Sequence, residues 1–420
     1  LSAVEISELA DSNQLRPLLN TPLDQLSDHQ FEQLYAWYLS TVNQPWKTAL
    51  TELRAAREAR SQAYDNVREI MVMQEMARPR QTHLLQRGAY DKPGVPVDSL
   101  TPAALPAMSD DLPRNRLGLA KWMTDPRHPL TARVAVNRFW QQMFGYGLVR
   151  TPEDFGSQGE QPTHPQLLDW LARDFIDHGW NVRRLLRQIA ISDAYCQSSR
   201  VSSETRQRDP ENRFLARMNA YRMNAEMLRD NVLAVSGLLT DQTGGPPAKP
   251  YDLEVSFKPV KPDIGAGLYR RSVYTFWKRT APAPMMMTLD ASKRDVCQPR
   301  RERTSSPLQA FVMLNGTQFV EAARVLAEQQ LLLHPEDHSA ILNAMFRKLT
   351  CRQPDARELG VLQTLLEKQL QDFTDNPDRA AELLKTGARP VSTDLPATSV
   401  AAFTVVANTL FNYDECAIRR

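Results

Sequence analysis

No stretch of the chain runs 18 residues without polar interruption, so no segment reads as a membrane-spanning helix. Cysteine is scarce: Cys196, Cys297, Cys351 and Cys416 are all far apart in sequence. With neither Cys-x-x-Cys nor Cys-x-x-Cys-His, the chain encodes no thioredoxin-like pair and no covalent c-type haem attachment. The four thiols fit either one or two long-range disulfides or isolated buried cysteines in a reducing compartment. Excess charge is also small, at +2 net. That supplies no broad field for nucleic acid or acidic membranes. Glycine is outnumbered by proline, 16 to 29, so the loops are expected to be long and stiff. A nucleophile elbow, a phosphate loop and a His-Glu-x-x-His are all missing. The opening at Leu1, without methionine or a charged-then-apolar leader, reads as a fragment or a processed product.

What remains is an ordinary globular composition, 42% hydrophobic and 24% charged, over 420 residues. That length accommodates two or three domains. Residues 1–76 read as a helical arm. Ser27 caps one helix, and a long charged helix follows Pro45 and runs through "WKTALTELRAAREARSQAYDNVREIMVMQEM". Residues 77–115 form a proline-rich connector with one short extended segment. Residues 116–420 read as the helical core domain, with a β insertion near 268–279 where "LYRRSVYTFWKR" is short, aromatic and β-branched. Helices are expected over 115–125, from Thr131, from Pro165 to Gly179 and from Val182. Thr163 and Gln166 have the spacing of a capping box. Further helices are expected over 211–239, from Pro307 to Asn315, over 317–333, 338–350 and 354–372, and through the apolar "SVAAFTVVANTLFNYDE".

The densest stretch is "VNRFWQQMFGYGLVRTPEDFGSQGEQPTHPQLLDW", Val136–Trp170. Its Asp154-Phe155-Gly156 copies the metal-binding tripeptide of protein kinases, but the other kinase motifs are missing. A turn capped by Asp154 explains the same letters. Arg133, Asn137 and Gln141 lie four apart and make a polar line on one helix, either a binding stripe or a network joining helices. Asp154, Gln158, Glu160 and His164 follow on the adjoining loop. His128, His164 and His178 lie among several aspartates, yet none has metal-site spacing, so no metal ligand is assigned. A second cluster sets Arg270, Arg271, Lys278 and Arg279 beside Tyr269, Tyr274, Phe276 and Trp277, with Lys293, Arg294, Arg300, Arg301 and Arg303 downstream. Guanidinium beside aromatic rings suits carboxylates, sulfated or acidic sugars, or nucleic acid. Arg–Asp pairing that pins the segment to the helices is the structural alternative.

The segment "NRLGLAKWMTDPRHPLTARVAVNRFWQQMFGYGLVRTPEDFGSQGEQPTHPQLLDWLA" resembles the core of a planctomycete-type domain of unknown function. So do "DPENRFLARMNAYRMNAEMLRDNVLAVSGLL", "DASKRDVCQPRRERTSSPLQAFVMLN" and "FTVVANTLFNYDE", the likeness spanning about residues 70–417. The resemblance implies an exported, periplasmic or cell-surface protein. In such proteins this domain lies C-terminal to planctomycete-type cytochrome c domains, so c-type haem belongs to a neighbouring domain and no cofactor to this chain. Cys196 and Cys351 depart from the family pattern, which leaves disulfide status open. The resemblance transfers no catalytic residue.

The expected protein is therefore mainly α, a multi-helical bundle with one small β element and long proline-rich loops. Its expected role is a non-catalytic scaffold or recognition module that binds an acidic polysaccharide or a protein partner such as the haem domain. The binding face would join Arg133, Asn137, Gln141, Asp154, Gln158, Glu160 and His164 to Arg270, Arg271 and Trp277. One rival is a glycan hydrolase using Asp154, Glu160 or Asp169 as acid and base. Another is a purely architectural domain with an exposed apolar patch on the N-terminal arm.

Overall fold

A computed structural model of the chain describes residues 15–250, 261–279 and 281–419. The chain divides into two compact units, Leu1–Asp98 and Ser99–Arg420. Helices of eight residues or more are numbered here in chain order.

The first unit holds α1 (Asp28–Thr41) and α2 (Gln44–Asp65), which pack against each other. Ser27 starts α1 with a reciprocal capping box: its hydroxyl accepts from the Gln30 N–H, and its own N–H donates to Gln30 Oε1 at 3.0 Å. Asn43 caps α2 by accepting from the Trp46 N–H at 3.0 Å. Neither helix buries a residue. The expected helix through residue 76 stops at Asp65, because "VREIMVMQEM" offers no alternating polar face and finds nothing to pack on. Strands β1 (Thr82–Leu85) and β2 (Pro93–Val97) follow and pair antiparallel, Thr82 opposite Val97.

The second unit has two hydrophobic clusters. After α3 (Arg116–Met123), the first is built by α4 (Thr131–Phe144), α5 (Pro165–Asp177) and α6 (Val182–Ala190). On α4, Val136, Trp140 and Phe144 fall at helical spacing and are buried with Leu168 and Leu171 of α5. The Trp140 and Phe144 rings stack with centroids 4.2 Å apart. His128 caps the start of α4: its Nδ1 lies 3.2 Å from the Thr131 nitrogen and 3.3 Å from that of Leu130. The expected capping box at Thr163 does not form. His164 is the N-cap of α5, and the Thr163 hydroxyl donates instead to the Leu148 carbonyl.

The larger cluster joins α7 (Ala225–Val235), α8 (Pro307–Asn315), α9 (Thr317–Leu333), α10 (His338–Thr350), α11 (Ala356–Asp375), α12 (Pro377–Leu384) and α13 (Ala397–Phe411). The near-continuous apolar run of α13 is buried at every position from Val400 to Phe411 except Val405 and Thr409, and it packs most extensively on α9. Strands β3 (Tyr221–Arg222) and β4 (Ile418–Arg419) pair antiparallel. The fold is thus mainly α with small β elements.

Two local expectations differ from what forms. Only Ala225–Val235 of 211–239 is helical. Upstream, the Asp209 carboxylate accepts from the N–H groups of Arg213 and Phe214, and Asn212 and Leu215 take positive φ, so the chain turns. Residues 268–279 make two 3-10 turns and two single bridges, Thr240 to Arg270 and Ala248 to Thr275, rather than a continuous strand. The cause is Arg229, which is 1% exposed. Its guanidinium takes the carbonyls of Leu268 at 2.8 Å and Arg270 at 2.9 Å, acceptors that a neighbouring strand would otherwise use. Helix α12 has no counterpart among the expected helices.

Candidate functional site

Helix α4 ends inside the protein, and its last carbonyls need donors. Each finds one. The Tyr221 hydroxyl donates to Gln142 at 3.1 Å and Met143 at 3.2 Å, Asn219 Nδ2 to Phe144 at 3.0 Å, and Arg303 Nη1 to Gly145 at 3.2 Å. Arg419 Nη1 reaches the Tyr221 hydroxyl at 2.8 Å, and Arg303 lies 4.5 Å from the centre of that ring. The two arginines also complement the negative end of the helix dipole. Burial pushes the pKa of both down, and that of Tyr221 up.

The polar line on α4 does structural work. Asn137 is fully buried and exchanges two hydrogen bonds with the Val149 peptide, at 3.0 Å and 2.9 Å. Arg133 pairs with Asp169 at 2.6 Å and donates to the Pro129 carbonyl at 2.5 Å. Gln141 is buried, and its Oε1 has no hydrogen-bond partner among the described residues. In the following loop, Asp154 Oδ1 accepts from the Gly156 N–H at 2.7 Å, the capped turn that the letters suggested. Gln158 is exposed. The Glu160 N–H donates to the Thr151 hydroxyl at 2.9 Å, and its carboxylate lies 3.5 Å from Arg213. His164 Nδ1 lies 3.1 Å from the Thr163 hydroxyl. Asp154, Glu160 and Asp169 are thus each engaged by a backbone amide or an arginine, as structural carboxylates are, and the paired-carboxylate reading gains no support.

The basic cluster divides. Arg270 is 4% exposed and is spent on the carbonyls of Pro246, at 2.7 Å, and Gly244, at 2.5 Å, with the Tyr274 ring 4.2 Å away. Arg301 pairs with Glu226 at 2.6 Å. Arg271, Arg279, Lys293 and Arg294 are exposed and form no ion pair among the described residues. Half-buried Trp277 donates from Nε1 to the Lys293 carbonyl at 2.7 Å, which sets its ring under the Arg294 guanidinium at 4.8 Å. The structure therefore separates Arg270, a packing element, from Arg271 and Trp277. Asn137 and Arg133 belong with the first hydrophobic cluster, whereas Trp277 packs against the second.

Periodicity alone did not single out a cavity of about 560 Å³ at the start of α9. Leu268, Pro284 and Met285 give it apolar walls, and Thr317, Gln318, Asp263 and Glu321 bring polar groups to it. Glu321 is 2% exposed, and its Oε1 accepts from the Tyr269 hydroxyl at 2.8 Å and from the N–H groups of Ala388 and Arg389, both at 2.7 Å. Burial, followed by this bond to Glu321, pushes the Tyr269 hydroxyl well above the ordinary tyrosine range. Gly387 permits the approach, since a Cβ there would lie 2.5 Å from Glu321 Cδ. One signal was legible: Glu321, Arg324 and Glu328, the helix's charged residues, recur at i, i+3 and i+7.

Among the described residues no three His, Cys, Asp or Glu side chains are grouped to hold a metal ion, and no helix is long and apolar enough to cross a membrane. All four thiols are free. No curated protein and no solved structure matches the chain. One family model does, over residues 115–366, from the Asn115 cap of α3 to α11. That stretch holds the capped end of α4, Trp277, and Asp263 and Glu321 of the cavity, and it is more than half of the sequence. The chain therefore belongs to the PSD1 family, described as a protein of unknown function (DUF1553).

Proposed function

We propose that the chain is a non-catalytic recognition module of a larger exported protein, set beside a domain carrying c-type haem, and that it binds acidic glycan at the face around Trp277. The exported, cytochrome c-associated setting is supported by the sequence resemblance. The glycan reading is carried by one observation: Arg294 covers the Trp277 ring at 4.8 Å, beside exposed Lys293 and Arg279, and none of the three cations has an ion-pair partner among the described residues. Cations already matched inside the fold, such as Arg270 and Arg301, are unavailable to a ligand. These three offer their donors to sulfate or uronate groups, with Arg294 braced on the Trp277 ring.

Isothermal titration of the 420-residue chain with a sulfated glycan, a polyuronate and a neutral glucan tests the reading. The acidic polymers bind and weaken as salt is raised, and the double variant Lys293→Ala/Arg294→Ala binds about tenfold less tightly. No new reducing ends appear. Equal binding of the neutral glucan, an indifferent double variant or cleavage of the glycan would each defeat it.

A protein contact is a second reading, favoured by the arm. No residue of α1 or α2 is buried, while Phe31, Tyr35, Trp46 and Leu53 are exposed. Capture of the haem-bearing neighbour by the chain, lost with Phe31→Glu/Tyr35→Glu, supports it. Undiminished capture by that variant argues against it.

A further inference from the structure

We propose that the cavity at the start of α9 binds a small primary amine carrying an adjacent oxygen acceptor, the chemistry shared by α-amino acids and amino sugars. This site is independent of the Trp277 face and stands whether or not glycan binds there. Its volume, about 560 Å³, suits a small molecule.

Two carboxylates reach the cavity, and each is anchored through one oxygen. Glu321 uses Oε1 for the Tyr269 hydroxyl and two backbone N–H groups, and Asp263 uses Oδ2 for the Lys249 N–H at 2.7 Å. Among the described residues nothing donates to Glu321 Oε2 or Asp263 Oδ1, and no lysine or arginine forms an ion pair with either residue. Arg324, three residues beyond Glu321, is committed to Glu328 at 2.8 Å and to the Arg389 carbonyl at 2.6 Å. Glu321 is 2% exposed overall and lines the cavity, so its second oxygen is the acceptor left to a ligand there. An ammonium group supplies both the charge and the donors that it lacks.

The second half of the ligand follows from α9 itself. Gly316 is its N-cap and offers no side chain, so the N–H groups of Thr317 and Gln318, both at the cavity, have no acceptor among the described residues. They are donors for an oxygen next to the amine, a carboxylate in an amino acid or a hydroxyl in an amino sugar. The site is tightly built: a Cβ on Gly316 would lie 2.9 Å from Met285 Sδ, and one on Gly267 would lie 2.9 Å from Asp263 Cβ.

The test is calorimetric titration of the 420-residue chain with leucine, glucosamine and the N-acetyl form of each, at millimolar concentrations. One free amine binds, which identifies the source, and acetylation of its nitrogen weakens binding at least about tenfold. Asp263→Asn, which keeps an oxygen for the Lys249 N–H, weakens it by a similar factor without lowering Tm. Glu321→Gln does the same where it folds, and Asp263→Asn decides the matter where it does not. Failure of both amines to bind, equal binding of the acetylated forms, or unchanged affinity in folded Asp263→Asn would overturn the proposal.

Discussion

Asn137 and Val149 exchange two hydrogen bonds, so one side-chain amide stands in for the neighbouring strand that this peptide lacks. The pairing folds the chain back on α4 directly after its end. Gly147 has to be glycine for this, because a Cβ there would lie 2.5 Å from Asn137 Nδ2. Asn137→Ala is expected to cost about 2–4 kcal/mol, since it leaves a buried N–H and a buried carbonyl without partners. Urea unfolding measures it. Asn137→Asp is expected to fare no better, because it buries charge while losing the donor.

Gly145 and Gly179 both end helices at positive φ, +86° and +67°, but in different surroundings. A Cβ on Gly145 would lie 2.7 Å from the Tyr221 ring, whereas nothing lies within 4 Å of one on Gly179. Gly179→Ala should therefore cost about 1 kcal/mol, the backbone strain alone. Gly145→Ala should cost roughly 3 kcal/mol, because it also displaces the ring that caps α4. Parallel thermal melts of the two variants give the difference, and equal costs would refute the role given to Tyr221.

Glu358 is held by Arg352 through both oxygens, at 2.6 Å and 2.8 Å, and the Tyr413 hydroxyl adds a third bond at 2.6 Å. The bond to Arg352 is the main cause that brings its carboxyl down to about 2. The folded pKa lies below the unfolded value of about 4.3, so the stabilisation is complete above that pH. It disappears as pH falls toward about 2. Allowing for partial exposure, it is on the order of 2 kcal/mol. Glu358→Gln should be less stable by about that amount at neutral pH, with the gap to wild type closing in acid. Urea midpoints across that range provide the check.

Cys416 is buried, and burial pushes its thiol up to about 12, while Cys196, Cys297 and Cys351 are exposed. A thiol-specific reagent should label those three in the native protein and reach Cys416 only on unfolding. Rapid labelling of all four would contradict the packing around α13.

Much of the helical layout was legible because it rests on local rules. Ser27 with Gln30, Pro307 after Ser306, and the positive-φ Gly179 each mark a helix end by chemistry contained within a few residues. The errors fell where a distant side chain overrode local preference. "LYRRSVYTFWKR" has the letters of a strand, but Arg229 consumes its carbonyls from a helix about 40 residues away. The helix expected to pass Asp65 failed for the opposite reason, since nothing came to cover it.

The candidate site shows the same division. The spacing of Arg133, Asn137 and Gln141 placed them on one helix face without revealing that Asn137 is spent on a peptide. Arg270 and Arg271 are neighbours in sequence, yet one is buried among carbonyls and the other is exposed. Helical character, the caps and the burial of α13 follow from periodicity and short-range hydrogen bonding, which the order of residues carries by itself. Which cations stay unpaired, and which carboxylates meet over a cavity, depends on partners brought together from remote positions. Those pairings exist only once the chain has packed, because a charge is neutralised by what lies near it in space.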